Sequence, residues 1–138
     1  MVAYSFKARF EMPIREGWKT QTIRAERARH ARPGEMLQLF VGMRTRHCRK
    51  IVADVRCTDV MAIVISFDGD GAIGRIITDG VPVRDLDAFA VQDGFKDADE
   101  MADFWRREHT PVGLWHGVVI EWAAPRAAVL EELTDVAA

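Results

Sequence analysis

Ile51-Val52-Ala53-Asp54-Val55-Arg56-Cys57-Thr58-Asp59-Val60-Met61-Ala62-Ile63-Val64-Ile65-Ser66-Phe67 runs directly into Asp68-Gly69-Asp70-Gly71. β-Branched residues crowd the first segment, glycine and aspartate fill the second, and Ile73 to Ile77 resumes the apolar pattern beyond it. That order predicts a strand, a tight turn and a returning strand. The β stretch is read as starting near His47 and as two strands broken at Thr58-Asp59, with a further turn at Asp79-Gly80. Upstream, Val2 to Phe6 alternates as an opening strand. Phe10 to Gly17 reads as a short helix with Pro13 in its first turn and Gly17 as its stop. Lys19 to Arg24 returns to extended structure, and Arg32-Pro33-Gly34-Glu35 turns into the strand Met36 to Phe40.

Downstream the period changes. Leu86, Phe89 and Ala90 share one face of a short helix that Gly94 terminates. Asp97 precedes Glu100 at capping-box spacing, and Met101, Phe104 and Trp105 form the apolar stripe of the helix that comes next. Gly117 to Trp122 closes the chain's β structure. Strands dominate and the helices are short. The expected fold is therefore α+β, a mixed or antiparallel sheet curled into a barrel, and a doubly wound parallel fold is disfavoured.

The chain of 138 residues suits one domain, expected over residues 1–124 with 125–138 as a C-terminal tail. No apolar run reaches the roughly 20 residues of a membrane span and no secretory signal opens the sequence, so the expectation is a cytoplasmic protein without membrane partners. Cys48 and Cys57 are the only cysteines and are expected as half-buried free thiols on neighbouring strands. No cofactor and no metal are expected. The net charge of −2 conceals an asymmetry: residues 1–56 carry 13 Lys/Arg against 5 Asp/Glu, and residues 57–138 carry 6 against 16. Clusters at Arg24, Arg27, Arg29 and Arg32, and at Arg44, Arg46, Arg49 and Lys50, point to a face that attracts polyanions, unless the two halves interleave and neutralise each other.

Walker, Rossmann, Gly-x-Ser-x-Gly and His-Glu-x-x-His motifs are absent from the sequence. Gly17-Trp18-Lys19-Thr20-Gln21-Thr22-Ile23-Arg24 concentrates two cations and two hydroxyls. Thr20, Thr22 and Arg24 share one strand face, and Lys19 joins them in one pocket only if it precedes the strand or a bulge intervenes. Trp18 is either a stacking surface for a splayed-out base or a core residue at the end of the first helix. Trp105 and Trp122 read as core, and His30, His109 and His116 as surface residues without partners.

The Lys19-Thr20-x-Thr22-x-Arg24 segment comes after a short helix and precedes Pro33-Gly34-Glu35 and a strand. Together with Phe89-Ala90-Val91-Gln92-Asp93-Gly94-Phe95 and the closing strand, it resembles the ASCH domain family of the PUA-like superfamily, over about residues 3–122. The resemblance implies a PUA-like mixed β-barrel with a few short helices. It also implies a cleft that handles RNA or a modified nucleoside. Similarity to the N4-acetylcytidine amidohydrolase branch implies a catalytic set of a lysine, a threonine and a glutamate, falling on Lys19, Thr22 and Asp93. On that reading Thr22 attacks an acyl carbonyl, Lys19 is the base if confinement brings its pKa toward neutrality, and Asp93 orients Lys19. Trp18, Thr20, Arg24, Arg27, Arg44 and Arg46 are the candidates for substrate or RNA contacts. The same groups also fit a non-catalytic RNA- or DNA-binding module, and both stay open here. A metal-dependent ribonuclease has less support, because no acidic cluster accompanies the basic face. Oligomeric state has no signal in the sequence.

Overall fold

A computed structural model of the chain describes residues 1–109 and 113–125. The elements are β1 (Val2–Phe6), a 3-10 turn (Ala8–Phe10) running into α1 (Glu11–Glu16), β2 (Gln21–Arg24), β3 (Met36–Val41), β4 (Arg49–Lys50), β5 (Val55–Phe67), β6 (Ile73–Thr78), β7 (Val81–Pro82), α2 (Leu86–Gln92), α3 (Ala98–His109) and β8 (Gly113–Trp122). Eight strands form one mixed sheet beside three short α-helices, an α+β architecture. β1 and β3 pair in parallel and the other pairs are antiparallel.

β5 is the spine. It meets β3 at its start and β6 near its end, and β8 along almost its whole length, from Cys57 opposite Trp122 to Phe67 opposite Gly113. The strand break expected at Thr58-Asp59 is instead a bulge: the register with β8 slips between Cys57 and Asp59 while β5 continues. The true interruption lies upstream, where 51–54 separates β4 from β5. Residues 63–67 alternate buried and half-buried, as a strand with one face in the core must. Ile63, Ile65, Leu37, Leu39, Ile76 and Val119 are all within 1% of complete burial.

Two sheet edges frame a gap. The run β1–β3–β5–β8–β2 begins at β1 and ends at β2, and no backbone pairing joins those two strands among the described residues. The sheet therefore stays open along that seam. α1 delivers the chain to β2: it stops at Gly17, whose φ of 86° is left-handed and whose N–H donates to the Ile14 carbonyl at 3.2 Å. α2 and α3 pack beside the seam. Asp97 caps α3 by accepting from the Glu100 N–H (2.8 Å), but the Glu100 carboxylate accepts from Lys96 N–H rather than returning to Asp97. Half of the expected capping box is thus displaced by one residue. Trp105 of α3 packs on Phe67, with ring centroids 5.6 Å apart.

The expected tail falls almost wholly outside the described residues. Among those described, no helix is long and apolar enough to cross a membrane. Cys57 is buried in β5 and Cys48 is exposed just ahead of β4, so the two thiols differ in setting rather than sharing one.

Candidate functional site

The open seam holds a cavity of about 290 Å3. Its wall is aromatic, built from Phe6, Phe10, Phe95, Phe104, Trp105 and Trp115, and its polar lining includes Lys19, Thr22, Arg24 and Asp93, with Ser5, Lys7 and His109 also on it. The local sequence explains their convergence. Lys19 precedes β2, so the parity that would turn it away from Thr22 does not apply, and its side chain runs inward until only 3% of the residue is exposed. Asp93 comes from the far end of α2, where Gly94 ends the helix with φ 98° and Phe95 N–H donates back to Ala90 at 2.9 Å. A side chain at Gly94 would lie 2.7 Å from Lys19 Cδ and 2.9 Å from Phe10 Cδ1, so only glycine lets the lysine pass. Thr20 fastens the two elements by backbone alone: its N–H donates to Gln92 (2.9 Å) and its carbonyl accepts from Trp122 (3.0 Å).

Lys19 Nζ donates to the Gln21 carbonyl (2.8 Å) and the Asp93 carbonyl (2.6 Å), while the Asp93 carboxylate stands 3.9 Å away. The ammonium also lies 4.6 Å from the Phe10 ring centroid and 5.5 Å from that of Phe6. Burial lowers the Lys19 pKa to about 8. The Asp93 charge opposes that shift, and Arg24 and Arg9 add to it. Burial raises Asp93 to about 6, against the pull of Lys19, a Gln21 hydrogen bond and Arg24. Asp93 is thus both the C-cap of α2 and a wall of the cavity.

Thr22 Oγ1 accepts from Arg24 Nε (2.9 Å), and Arg24 Nη2 donates across the seam to the Ser5 carbonyl of β1 (2.7 Å). The guanidinium also lies against Tyr4 and Phe6, 5.2 and 5.0 Å from their centroids. No hydrogen bond joins Thr22 to Lys19 among the described residues. A neutral lysine amine has two N–H groups and one lone pair. Gln21 and Asp93 carbonyls use both N–H groups, which leaves the lone pair for another proton.

The remaining candidates scatter. Arg27 sits 4.8 Å from the Tyr4 ring centroid, outside the cavity, with its Nε donating to the Arg29 carbonyl. Arg44, with φ 67°, and Arg46 are exposed on the loop after β3 and form no ion pair among the described residues. Trp18 is 39% exposed and donates to Glu16 (3.4 Å), so it is neither core nor cavity wall. The charge halves do interleave in part, through Lys7–Glu108, Arg9–Glu100 and Lys19–Asp93.

Three positions escape a reading of the sequence alone. His109 is exposed, as expected, but it has a partner: it ends α3, lies against Trp105 one turn earlier with the rings tilted (4.6 Å between centroids), and lines the cavity. His30 is held by the Tyr4 hydroxyl (3.1 Å) and the Ala25 carbonyl (2.8 Å). Trp115 folds over Gly117, where an added side chain would collide with it. The i, i+4 spacing of Trp105 and His109 and the i, i+2 spacing of Trp115 and Gly117 are visible signals; the His30–Tyr4 contact, 26 positions apart, is not. Among the described residues no group of three His, Cys, Asp or Glu side chains gathers in metal-binding fashion. No family model, no curated protein and no solved structure matches the chain.

Proposed function

We propose that this is an ASCH-type domain of the PUA-like superfamily, its sheet a barrel left open at the β1/β2 seam, and that the cavity binds a modified nucleoside and hydrolyses an acyl amide on its base. The observation that carries this reading is a fully buried Lys19, its pKa near 8, lining one small cavity with Thr22, Arg24 and Asp93. The volume sits at the low end of small-molecule sites, which suits a single nucleoside better than a strand, and aromatic walls suit a planar base.

The chemistry balances with the residues present. Neutral Lys19 takes the Thr22 hydroxyl proton as Oγ1 bonds to the acyl carbon of an N4-acylcytidine. The Arg24 N–H on Oγ1 favours the developing alkoxide. Collapse breaks the C–N4 bond, Lys19 returns the proton to N4, and cytidine leaves an acyl-threonine. Water then adds to that ester as Lys19 accepts its proton, the acyl C–Oγ1 bond breaks, and Lys19 passes the proton to Oγ1, giving the carboxylic acid, the free Thr22 hydroxyl and a neutral Lys19. Asp93 holds Lys19 in place through its carbonyl.

The test is acetate and cytidine release from N4-acetylcytidine. The rate should rise through pH 8 as Lys19 loses its proton, and Thr22→Ala and Lys19→Ala should each lower kcat by about three orders of magnitude or more. Turnover that survives in Thr22→Ala overturns the nucleophile. The second reading, a non-catalytic RNA reader, is favoured by one observation: Thr22 is hydrogen-bonded to Arg24 and not to Lys19. It predicts no turnover at any pH, with RNA binding that weakens in Arg24→Ala.

A further inference from the structure

Gln21 has no role in the acyl-transfer steps, yet its environment is the most demanding on β2. The side chain is completely buried, its Nε2 lies 3.4 Å from Asp93 Oδ1, and its Oε1 has no hydrogen-bond partner among the described residues. A buried carboxamide with an unpaired oxygen is costly, and an apolar residue of the same length would avoid the cost. A carboxamide offers what an apolar residue does not. Turned one way it presents N–H to a carboxylate; rotated by half a turn it presents C=O to a carboxylic acid.

We propose that Gln21 is the positioning residue for Asp93, keeping its carboxyl group beside Lys19 whether or not that group carries a proton. The assignment to catalysis rests on the hydrolase reading; the hold on the carboxyl group does not. Asp93 needs such a partner because burial raises its pKa to about 6, so it changes charge just below neutrality. Lys7 after β1 and His109 at the end of α3 line the same cavity. The charged groups around it come from several elements: Lys19 before β2, Arg24 on β2, and Arg9 in the 3-10 turn acting on Lys19. On β8, Glu121 is in register with Gln21 and with Asp59 of β5, and burial and Asp59 raise its pKa. Gln21 is thus paired in register with Glu121, while its side chain is within bonding distance of Asp93.

The experiment is a pH titration of the wild-type chain by NMR, tracking the Gln21 side-chain amide nitrogen and the Asp93 carboxyl carbon. The two signals should move together with a midpoint near 6. A Gln21 amide that stays flat while Asp93 titrates overturns the proposal. In Gln21→Met the Asp93 midpoint should climb by about one pH unit, because, of the two bonds the substitution removes, the charge-assisted one to the ionised form is the stronger. An unchanged midpoint in a folded Gln21→Met also overturns it. With N4-acetylcytidine, Gln21→Met should lower kcat about tenfold with little change in KM, a split that general loss of packing would not produce. Joint titration in a wild type that shows no turnover leaves the Gln21–Asp93 pair standing and removes the hydrolase; turnover with independent titration does the reverse.

Discussion

The β5–β8 ladder and the β1/β2 seam are built from one sheet on different principles. Along β5–β8 the backbone supplies the cohesion, from Cys57 opposite Trp122 to Phe67 opposite Gly113, and the side chains behind it are Ile63, Ile65 and Val119. At the seam no strand-to-strand pairing does so among the described residues: the Arg24 and Lys19 side chains reach the backbone carbonyls of Ser5 and Asp93, and aromatic rings line the gap. Apart from the Asp59–Glu121 pair near one end, the ladder should be insensitive to pH and sensitive to volume. The seam should be the opposite, because its contacts depend on which groups hold protons.

Three measurements put that contrast at risk. The largest effect belongs to the ladder: Ile65→Ala, at a position with no exposure, should cost about 2–5 kcal/mol in urea unfolding. The Lys19 and Asp93 titrations should stay unchanged. A loss below about 1 kcal/mol would mean the ladder is not the rigid partner.

The next effect belongs to the seam and has a sign fixed by linkage. Between the ordinary aspartate value of 3.8 and about 6, folded Asp93 holds a proton that the unfolded chain has lost, so its contribution to stability falls as pH rises. Between about 8 and the ordinary lysine value of 10.5, the unfolded chain holds a proton that folded Lys19 has lost, so stability rises with pH. The pair is therefore least favourable from about pH 6 to pH 8. Lys19→Met with Asp93→Asn should gain most on the wild type in that window. Its advantage should shrink by roughly 3 kcal/mol on either side. A pH-independent difference would refute the seam's electrostatic character.

The smallest effect lies off both regions. If the exposed loop after β3 meets a polyanion, Arg44→Ala should lower the slope of log affinity against log salt by about one for a single-stranded RNA. An unchanged slope would confine recognition to the cavity.

The two regions differ in how far their residues reveal them, and the reason is common to both. Local signals place α1 with its Gly17 stop, the Asp68–Gly71 turn and the return strand Ile73 to Thr78, because turn and cap chemistry is written within a few positions. The same signals misjudge Thr58-Asp59. A polar pair in an apolar run looks like a break, whereas β5 carries the extra residue as a bulge against an uninterrupted β8. At the site, parity groups Thr22 with Arg24, and Lys19 joins them only because it precedes β2. That Lys19 would bind the Asp93 backbone carbonyl, that Arg24 rather than Lys19 would hold Thr22, and that Gln21 would be fully buried cannot. The first and last of those facts depend on where α2 docks, a long-range contact with no local trace; the second is a choice of side-chain rotamer within β2.

The pairing of β2 has a consequence in time. Its sole backbone partner among the described residues is β8, almost a hundred residues later, and Lys19 waits for a carbonyl 74 positions away. As the chain leaves a ribosome, β1 and β3 can pair and β5 can turn back on β6 while β2 remains without a mate. Contacts of such separation form late and slowly. The cavity is thus the last part of the molecule to come into being, and until then the Lys19–Arg24 segment is an unpaired strand edge, open to wrong partners.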